Sequence, residues 1–398
     1  MRGTTAVFLA GGRGQGLGIL TGHRAPPALP FGAKYRLVDF SLSNCHHSEI
    51  FEVALLTQHA PTSLNEHVGS GRPWDLDRAQ GGLRILQPFA SRHRTRWTEG
   101  PADALMRNLS EFDEAGTERL LVGSAEHVYL LDYSDLVTSH LESESPLSIT
   151  FNRVPAGSVR EARAIEVHGG RVRHLGREKE IVSAGELAAI GLFVFEMDFL
   201  RSAADARTPR TLFEWVADAV ERGVPVNAFE HEGFWADPAD LPTYYRTSMS
   251  LLAPDPPLSL ADPLWTVETH GEERPPARFL ESSRVQESLV AGGSVVAGRV
   301  ERSILFGGVI VEEGASVVDS IVFQDVRVGA GSRLDHVIVD KSVDIGEGSV
   351  LGDGAWPIAV DELAALAVIG KEARLPARFR LPRGGVVPVA EGAMAAAR

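Results

Sequence analysis

Apolar residues recur every six positions in the C-terminal part of this chain: Val311 and Val317, Val328 and Leu334, then Val339, Ile345 and Leu351. Gly308 and Gly314, and Gly346 and Gly352, keep the same step. A helix repeats at 3.6 residues and a half-buried antiparallel strand at two, so neither explains it. A left-handed parallel β-helix does: each six-residue unit forms one side of a triangular coil, with glycines at the turns. The pattern assigns residues 281–356 to that domain and 357–398 to a C-terminal extension ending in a loosely held tail. Ahead of it, Pro254, Pro256, Pro257, Pro263, Pro275 and Pro276 resist both helix and internal strand. They mark 253–280 as a linker.

Residues 1–252 have a different texture. Short apolar runs at Val53–Leu56, Arg119–Val122, Ser148–Phe151 and Leu192–Phe195 read as buried strands. Amphipathic stretches at Ala102–Phe112 and Leu212–Glu221 read as helices. Strands alternating with helices predict an α/β domain, a Rossmann-like and mostly parallel sheet with ligands at the strands' carboxyl ends. The first strand, Thr5-Ala-Val-Phe-Leu-Ala10, runs directly into Gly11-Gly12-Arg13-Gly14-Gln15-Gly16-Leu17. Glycines there let a phosphate approach backbone N–H groups that a Cβ would cover. The spacing is not the dinucleotide-binding G-x-G-x-x-G, because Leu17 takes the last glycine's place, and no Gly-Lys-Ser/Thr follows to make a P-loop.

The following motifs stand in order: Leu20-Thr21, Arg24-Ala-Pro-Pro-Ala28, Phe31-Gly-Ala-Lys34-Tyr-Arg-Leu-Val-Asp-Phe40 and Leu42-Ser-Asn-Cys45. Leu56-Thr-Gln58, Gly100-Pro-Ala-Asp103-Ala104, His127-Val-Tyr129, Glu178-Lys179, Gly191-Leu-Phe-Val-Phe195 and Trp235-Ala-Asp237 continue them. Together they resemble the ADP-glucose pyrophosphorylases (glucose-1-phosphate adenylyltransferases) of the sugar-nucleotidyltransferase superfamily, over nearly the whole chain. The resemblance implies the same β-helical C-terminal domain.

Composition is that of a soluble globular protein, 44% apolar and 23% charged in 398 residues. No apolar run approaches a membrane span and no leader opens the chain, so a cytoplasmic location is expected. A net charge of −14 argues against nucleic acid as a partner. The single Cys45 reads as a small buried hydrophobe, and His46-His47 as surface. Arginines number 35 against four lysines. In such a chain Lys34 and Lys179, both at positions where the resembled family carries lysine near its substrates, suggest that a compact ammonium is wanted.

The resemblance implies a reaction in which a sugar 1-phosphate oxygen attacks the α-phosphorus of a nucleoside triphosphate and pyrophosphate leaves, with Mg2+ as cofactor. It implies nucleotide contacts from Leu9, Ala10, Gly11, Gly12, Gly14, Gln58, Gly100 and Asp103, and catalytic roles for Lys34, Glu126 and Asp237. Glu126 and Asp237 are the implied metal ligands, glutamate standing in Ala125-Glu126-His127 for the family's aspartate. Glu178 and Lys179, with Thr98 and Ala189, are the implied sugar-phosphate site.

Several positions depart from the family pattern. Its arginine after the last loop glycine is Gly16, and the lysine of its Arg-Ala-Lys-Pro is Pro26. Both changes remove positive charge where pyrophosphate departs, and Arg13 or Arg24 are candidates to replace it. Thr98 stands for a tyrosine, Glu99 for an arginine and Ala189 for a serine, and the Phe-Gly turn is missing near Ala162-Arg163-Ala164. Paired glutamines are not evident at Leu86–Ser91, and Arg92, Arg94 and Arg96 crowd the segment before Trp97.

Three readings fit. One is a working nucleotidyltransferase whose acceptor has moved from plain glucose 1-phosphate to another sugar or a cyclitol phosphate. The second is a catalytically impaired partner of an active paralogue, in a hetero-oligomer. The third is a sugar-nucleotide binding protein. A dimer or tetramer is expected, because coil faces in the resembled family pack against neighbouring chains.

Overall fold

The computed structural model describes residues 1–87, 100–155, 159–177, 180–204, 211–353 and 366–389. The chain forms two compact units, one of Met1–Gly12, Phe40–Pro61 and Val68–Trp235, the other of Arg13–Asp39, Thr62–His67 and Ala236–Arg398.

The first unit is built on one ten-stranded sheet, ordered Glu180–Ser183, Val159–His168, Arg171–Leu175, Val226–Glu230, Leu147–Arg153, Leu187–Glu196, Arg119–Ser124, Thr4–Ala10, Glu52–Thr57, Gly82–Leu86. The last four strands run parallel and carry the glycine-rich loop. Leu187–Glu196 enters antiparallel between Arg119–Ser124 and Leu147–Arg153, and Leu147–Arg153 in turn pairs in parallel with Val226–Glu230. All four runs expected as strands lie inside these elements. Val7, Leu120, Val122, Ile149, Phe193 and Phe195 are buried in its core, each large side chain worth about 1.5–3 kcal/mol.

The Leu212–Glu221 helix forms as expected, because Thr211 caps it by accepting a hydrogen bond from the Glu214 N–H at 3.2 Å. The helix expected over Ala102–Phe112 divides into Pro101–Arg107 and Leu109–Glu114. Asn108 interrupts it, leaving helical dihedrals while its side-chain amide donates to the Ala104 carbonyl at 2.8 Å. Cys45 is fully buried, which pushes its thiol pKa well up and leaves it inert.

In the second unit, three six-stranded parallel sheets wind into the left-handed β-helix. Val311, Val328 and Ile345 stack along one side, Val317, Leu334 and Leu351 along the next, and Val322, Val339 and Ile369 along the third. Successive coils such as those at Ser303 and Ser320 lie 17 residues apart, since the step from the second side to the third, Val317 to Val322, is one residue shorter than the six-residue unit. Buried serines complete that corner. Ser320 donates its N–H to Ser303 Oγ and Val337 donates to Ser320 Oγ, each at 3.1 Å. These bonds satisfy backbone donors that a turn would otherwise strand inside the coil. The coil continues past residue 356, the limit expected above. Ile369, Leu375, Leu381 and Val387 keep the six-residue step, and the first three pair with Val339, Ile345 and Leu351.

The Arg13–Asp39 segment is fastened within this same unit. Arg24, 3% exposed, donates from Nη2 to both oxygens of the fully buried Asp340, at 2.7 and 3.0 Å. Tyr244 donates its hydroxyl to the Pro30 carbonyl at 2.5 Å. Asp39 accepts from the Arg36 N–H at 2.9 Å and pairs with His67 Nε2 at 2.6 Å.

Candidate active site

In the first unit, register decides where the loops emerge. Ala10 pairs with Thr57 and Leu9 with Ser124, so three parallel strands end at one level. Gly11, Gln58 and Ala125-Glu126 follow those ends, and the Ala125 N–H donates to the Leu9 carbonyl at 3.1 Å. This is the carboxyl edge at which open α/β sheets bind ligands. A Cβ on Gly11 would stand 3.2 Å from Gln58 Cβ, and one on Gly12 would stand 3.5 Å from Glu126 Oε1. Gln58 and Glu126 therefore flank a backbone left bare of side chains. Leu9 and Ala10 are the last residues of the strand delivering it.

Beside Glu126, the buried His127 ring meets Trp235 edge-on, with centroids 5.0 Å apart. Gly191 sits in the strand opposite, at φ +71°, which favours glycine. A Cβ there would come within 3.4 Å of His127 Cε1 and 3.5 Å of Phe213 Cζ. Ala189, buried, pairs with Phe151 on one side and Arg163 on the other. The Arg163 guanidinium lies over the Phe213 ring, 4.9 Å from its centroid, and Nη1 donates to the Gly176 carbonyl at 2.8 Å. Neither Phe213 nor this use of Arg163 is legible from spacing. The only signal was negative, the missing Phe-Gly turn.

Gly100 adopts φ +142° ahead of the Pro101–Arg107 helix. Asp103 in that helix accepts two hydrogen bonds from Arg107 Nε, both 2.8 Å, so its carboxylate already has a partner one turn along. Thr98, Glu178 and Lys179 lie outside the described residues, as do Arg92, Arg94 and Arg96.

In the second unit, Gly14 takes a left-handed conformation at φ +59°, and a Cβ on it would meet Pro26 Cγ at 2.6 Å. A Cβ on Gly16 would stand 2.5 Å from the Ala239 carbonyl oxygen. That contact is with backbone, which cannot swing away. Pro26 is buried. The two positions where the family carries cations are thus packed against protein. Of the two candidates to replace them, Arg13 and Arg24, the second has its guanidinium committed to Asp340. His23 beside it is lowered from 6.5 to about 4, by burial first and then by Arg24. Lys34 is exposed, its Nζ 5.6 Å from the Tyr35 ring centroid, and Asp237 is half-buried two residues past Trp235.

Glu126 and Asp237 are both hard oxygen donors of the type Mg2+ prefers, and the Glu126 carboxylate borders the bare loop at Gly12. Each carboxylate by itself suits such an ion as a ligand. The one three-donor cluster among the described residues, Asp319, Asp335 and His336, is elsewhere, and Arg302 already forks onto Asp319 at 2.8 and 2.7 Å. No helix among the described residues is long and apolar enough to cross a membrane.

Comparison with known proteins agrees with this layout. The Nucleotidyl transferase family model matches residues 5–253 and the GlmU-like, C-terminal hexapeptide model residues 275–355. A glucose-1-phosphate adenylyltransferase of Thermotoga maritima is 40% identical over 328 residues, covering 80% of this chain and 77% of its own length. The Bacillus cereus (strain ATCC 14579) protein of the same name is 36% identical over 331 residues, covering 80% and 86%. With a nucleotidyl-transfer domain, a hexapeptide coil and this degree of identity, the chain belongs to the ADP-glucose pyrophosphorylase family of nucleotidyl transferases.

Proposed function

We propose that this protein transfers a nucleotidyl group from a nucleoside triphosphate to a sugar or cyclitol 1-phosphate other than plain glucose 1-phosphate, releasing pyrophosphate. The observation that carries the reading is the Glu126 carboxylate beside the bare Gly11-Gly12 backbone, at the ends of three parallel strands. Gly11, Gly12 and Gly14 offer N–H groups to the triphosphate, Gln58 the base, and Lys34 a cation for the phosphates. Lys179 and Glu178 receive the acceptor's phosphate and hydroxyls. An acceptor phosphate oxygen bonds to the α-phosphorus as the bond to the pyrophosphate oxygen breaks. Enzymes of this kind use a divalent metal; Glu126 and Asp237 would hold it as Mg2+, whose charge draws electron density from the α-phosphate. The shift of acceptor is supported by Ala189 and Arg163, which face one another across two strands where the family carries other residues.

The deciding experiment is pyrophosphate release from the purified protein with each common triphosphate against sugar and cyclitol phosphates. We expect turnover with one acceptor well above that with glucose 1-phosphate. Efficient turnover of glucose 1-phosphate with ATP would show that the pocket had not moved.

A second reading, a catalytically impaired partner subunit, is favoured by the protein packing around Gly16 and Pro26. No turnover across the panel, with triphosphate binding retained by calorimetry, would establish it over the first. In either case we expect a dimer or tetramer by light scattering, and a monodisperse monomer at micromolar concentration would count against that assembly.

A further inference from the structure

We propose that a cavity at the amino-terminal edge of the first unit's sheet binds an organic cation, a protonated primary amine on a short hydrocarbon chain. This site is separate from the nucleotidyl-transfer reading and does not rest on it.

The cavity has a volume of about 460 Å³, within the range of small-molecule sites. Glu196, the last residue of the Leu187–Glu196 strand, pairs with Arg119, the first residue of Arg119–Ser124. Arg119 pairs on its other side with Thr4, the first residue of the strand that leads to Gly11. These positions therefore lie at the end of the sheet opposite Gly11 and Glu126. Arg119 and Ser124 are five steps apart, about 17 Å along an extended strand. All of the lining belongs to the first unit.

One wall is a hydrogen-bond chain that ends on a carboxylate. Asn227 donates from Nδ2 to Ser148 Oγ at 3.2 Å, Ser148 meets His140 Nδ1 at 2.7 Å, and His140 Nε2 meets Glu196 Oε1 at 3.0 Å. Arg119 Nε donates to the same oxygen, also at 3.0 Å. No donor among the described residues reaches Oε2, and this side chain, 34% exposed, lines the cavity. Burial lowers the His140 pKa from 6.5, so the ring is uncharged at neutral pH. Arg119 is shared with Glu118, whose Oε2 accepts from Nη2 at 3.0 Å. Glu196 thus keeps negative charge that its neighbours do not cancel.

Glu144 is a second carboxylate of the lining, just past the carbonyl end of the Tyr133–Ser143 helix, which itself favours positive charge. Among the described residues no hydrogen bond or ion pair holds its side chain. Leu141, Pro146 and Phe199 supply apolar walls, and Leu141 is 50% exposed. A hydrated metal ion would gain nothing from those walls. An alkylammonium uses both kinds of surface: its N–H donors meet Glu196 Oε2, and its chain covers Leu141 and Phe199.

Calorimetry on the full chain tests this, with hexylammonium as the probe and hexanol and hexanoate as its neutral and anionic counterparts. We expect hexylammonium to bind at least about tenfold tighter than hexanol, hexanoate to give no heat, and the affinity to fall as salt rises. Glu196→Gln should weaken the amine about tenfold. Because Glu196 also holds Arg119 and His140, two exposed variants outside that network accompany it, each with a wild-type thermal melt. Glu144→Gln should weaken the amine about threefold and leave hexanol unchanged. Leu141→Asn should weaken hexylammonium and hexanol alike. Equal binding of hexylammonium and hexanol would overturn the proposal, as would hexanoate as the tighter ligand, an amine affinity unmoved by both carboxylate variants, or no heat at millimolar probe. Heat from magnesium chloride that disappears in Glu196→Gln, with none from hexylammonium, would replace the organic cation by a metal ion.

Discussion

At Gly12 the nearest atom to an added Cβ would be a carboxylate oxygen of Glu126, 3.5 Å away; at Gly16 it would be the Ala239 carbonyl oxygen, at 2.5 Å. These glycines belong to one glycine-rich run of the sequence, yet the first leaves space facing polar side chains and the second is required because protein fills the space. The same division extends beyond the glycines. Around Gly11-Gly12, Gln58 and Glu126 flank the bare backbone. Beyond Gly14, Arg24 and Asp39 serve the second unit's own structure, Arg24 on Asp340 and Asp39 on His67. A glycine-rich motif is thus two features in tandem, a ligand floor and a structural fastening. Substitutions in the first should cost activity, and those in the second stability.

The largest expected effect is on the fastening side. Arg24→Met leaves Asp340 fully buried without its partner, and breaking a buried pair this way costs about 3–5 kcal/mol. Urea unfolding should show it as a fall in midpoint, partly recovered in Arg24→Met with Asp340→Leu. A midpoint within error of wild type would mean that Arg24 belongs with the ligand floor after all.

On the floor side, Glu126→Gln and Asp237→Asn remove negative charge but little volume. Each should lower kcat/KM roughly 100-fold or more with the best acceptor while the thermal melt stays at the wild-type value. A lowered melt with normal activity at limiting magnesium would reverse the assignment of Glu126 from ligand to scaffold.

Much of this was legible in the chain. The six-residue step announced the β-helix because every coil repeats one local constraint, and the strand running into Gly11-Gly12 announced the carboxyl edge for the same reason. Ile369, Leu375, Leu381 and Val387 carried the step too. The segment before them, from Trp356, breaks the run and sets them apart from it. What could not be read is non-local. Arg24 meets Asp340 across 316 positions, and no pattern in either neighbourhood announces it. The antiparallel entry of Leu187–Glu196 is equally silent, since a buried strand looks alike in either direction. The contact of Arg163 with the Phe213 ring, fifty positions on, is silent in the same way.

A smaller effect separates the two glycines directly. Gly16→Ala should cost about 1–3 kcal/mol, because the Ala239 carbonyl must shift to admit a methyl group. Gly12→Ala should change stability by less than about 0.5 kcal/mol while impairing triphosphate binding. Thermal melts and calorimetric titrations of the two variants together check this. Restoring the family's arginine at Gly16 should likewise lower stability rather than raise activity, so a gain in turnover from Gly16→Arg would break the comparison.

A last expected effect is a slope with pH. Lys341, next to Asp340, is lowered from 10.5 to about 7, by burial first and then by the nearby Arg36 and Arg24, with Lys371 adding to them and Asp340 opposing. A base whose folded pKa lies below its unfolded value binds fewer protons when folded. Below about 7 both states carry the proton and the cost of burying the charge is fully present. Between about 7 and 10.5 only the unfolded state holds it, so stability rises with pH across that window and levels off above it. His23, lowered to about 4, gives a second rise between about 4 and 6.5, so the two windows are distinct. Unfolding midpoints taken from pH 6 to pH 10 should climb for the wild type and climb less for Lys341→Met. Identical slopes in the two proteins would mean that Lys341 keeps an ordinary ammonium, and that this part of the second unit is open to water in the way the Gly12 floor is.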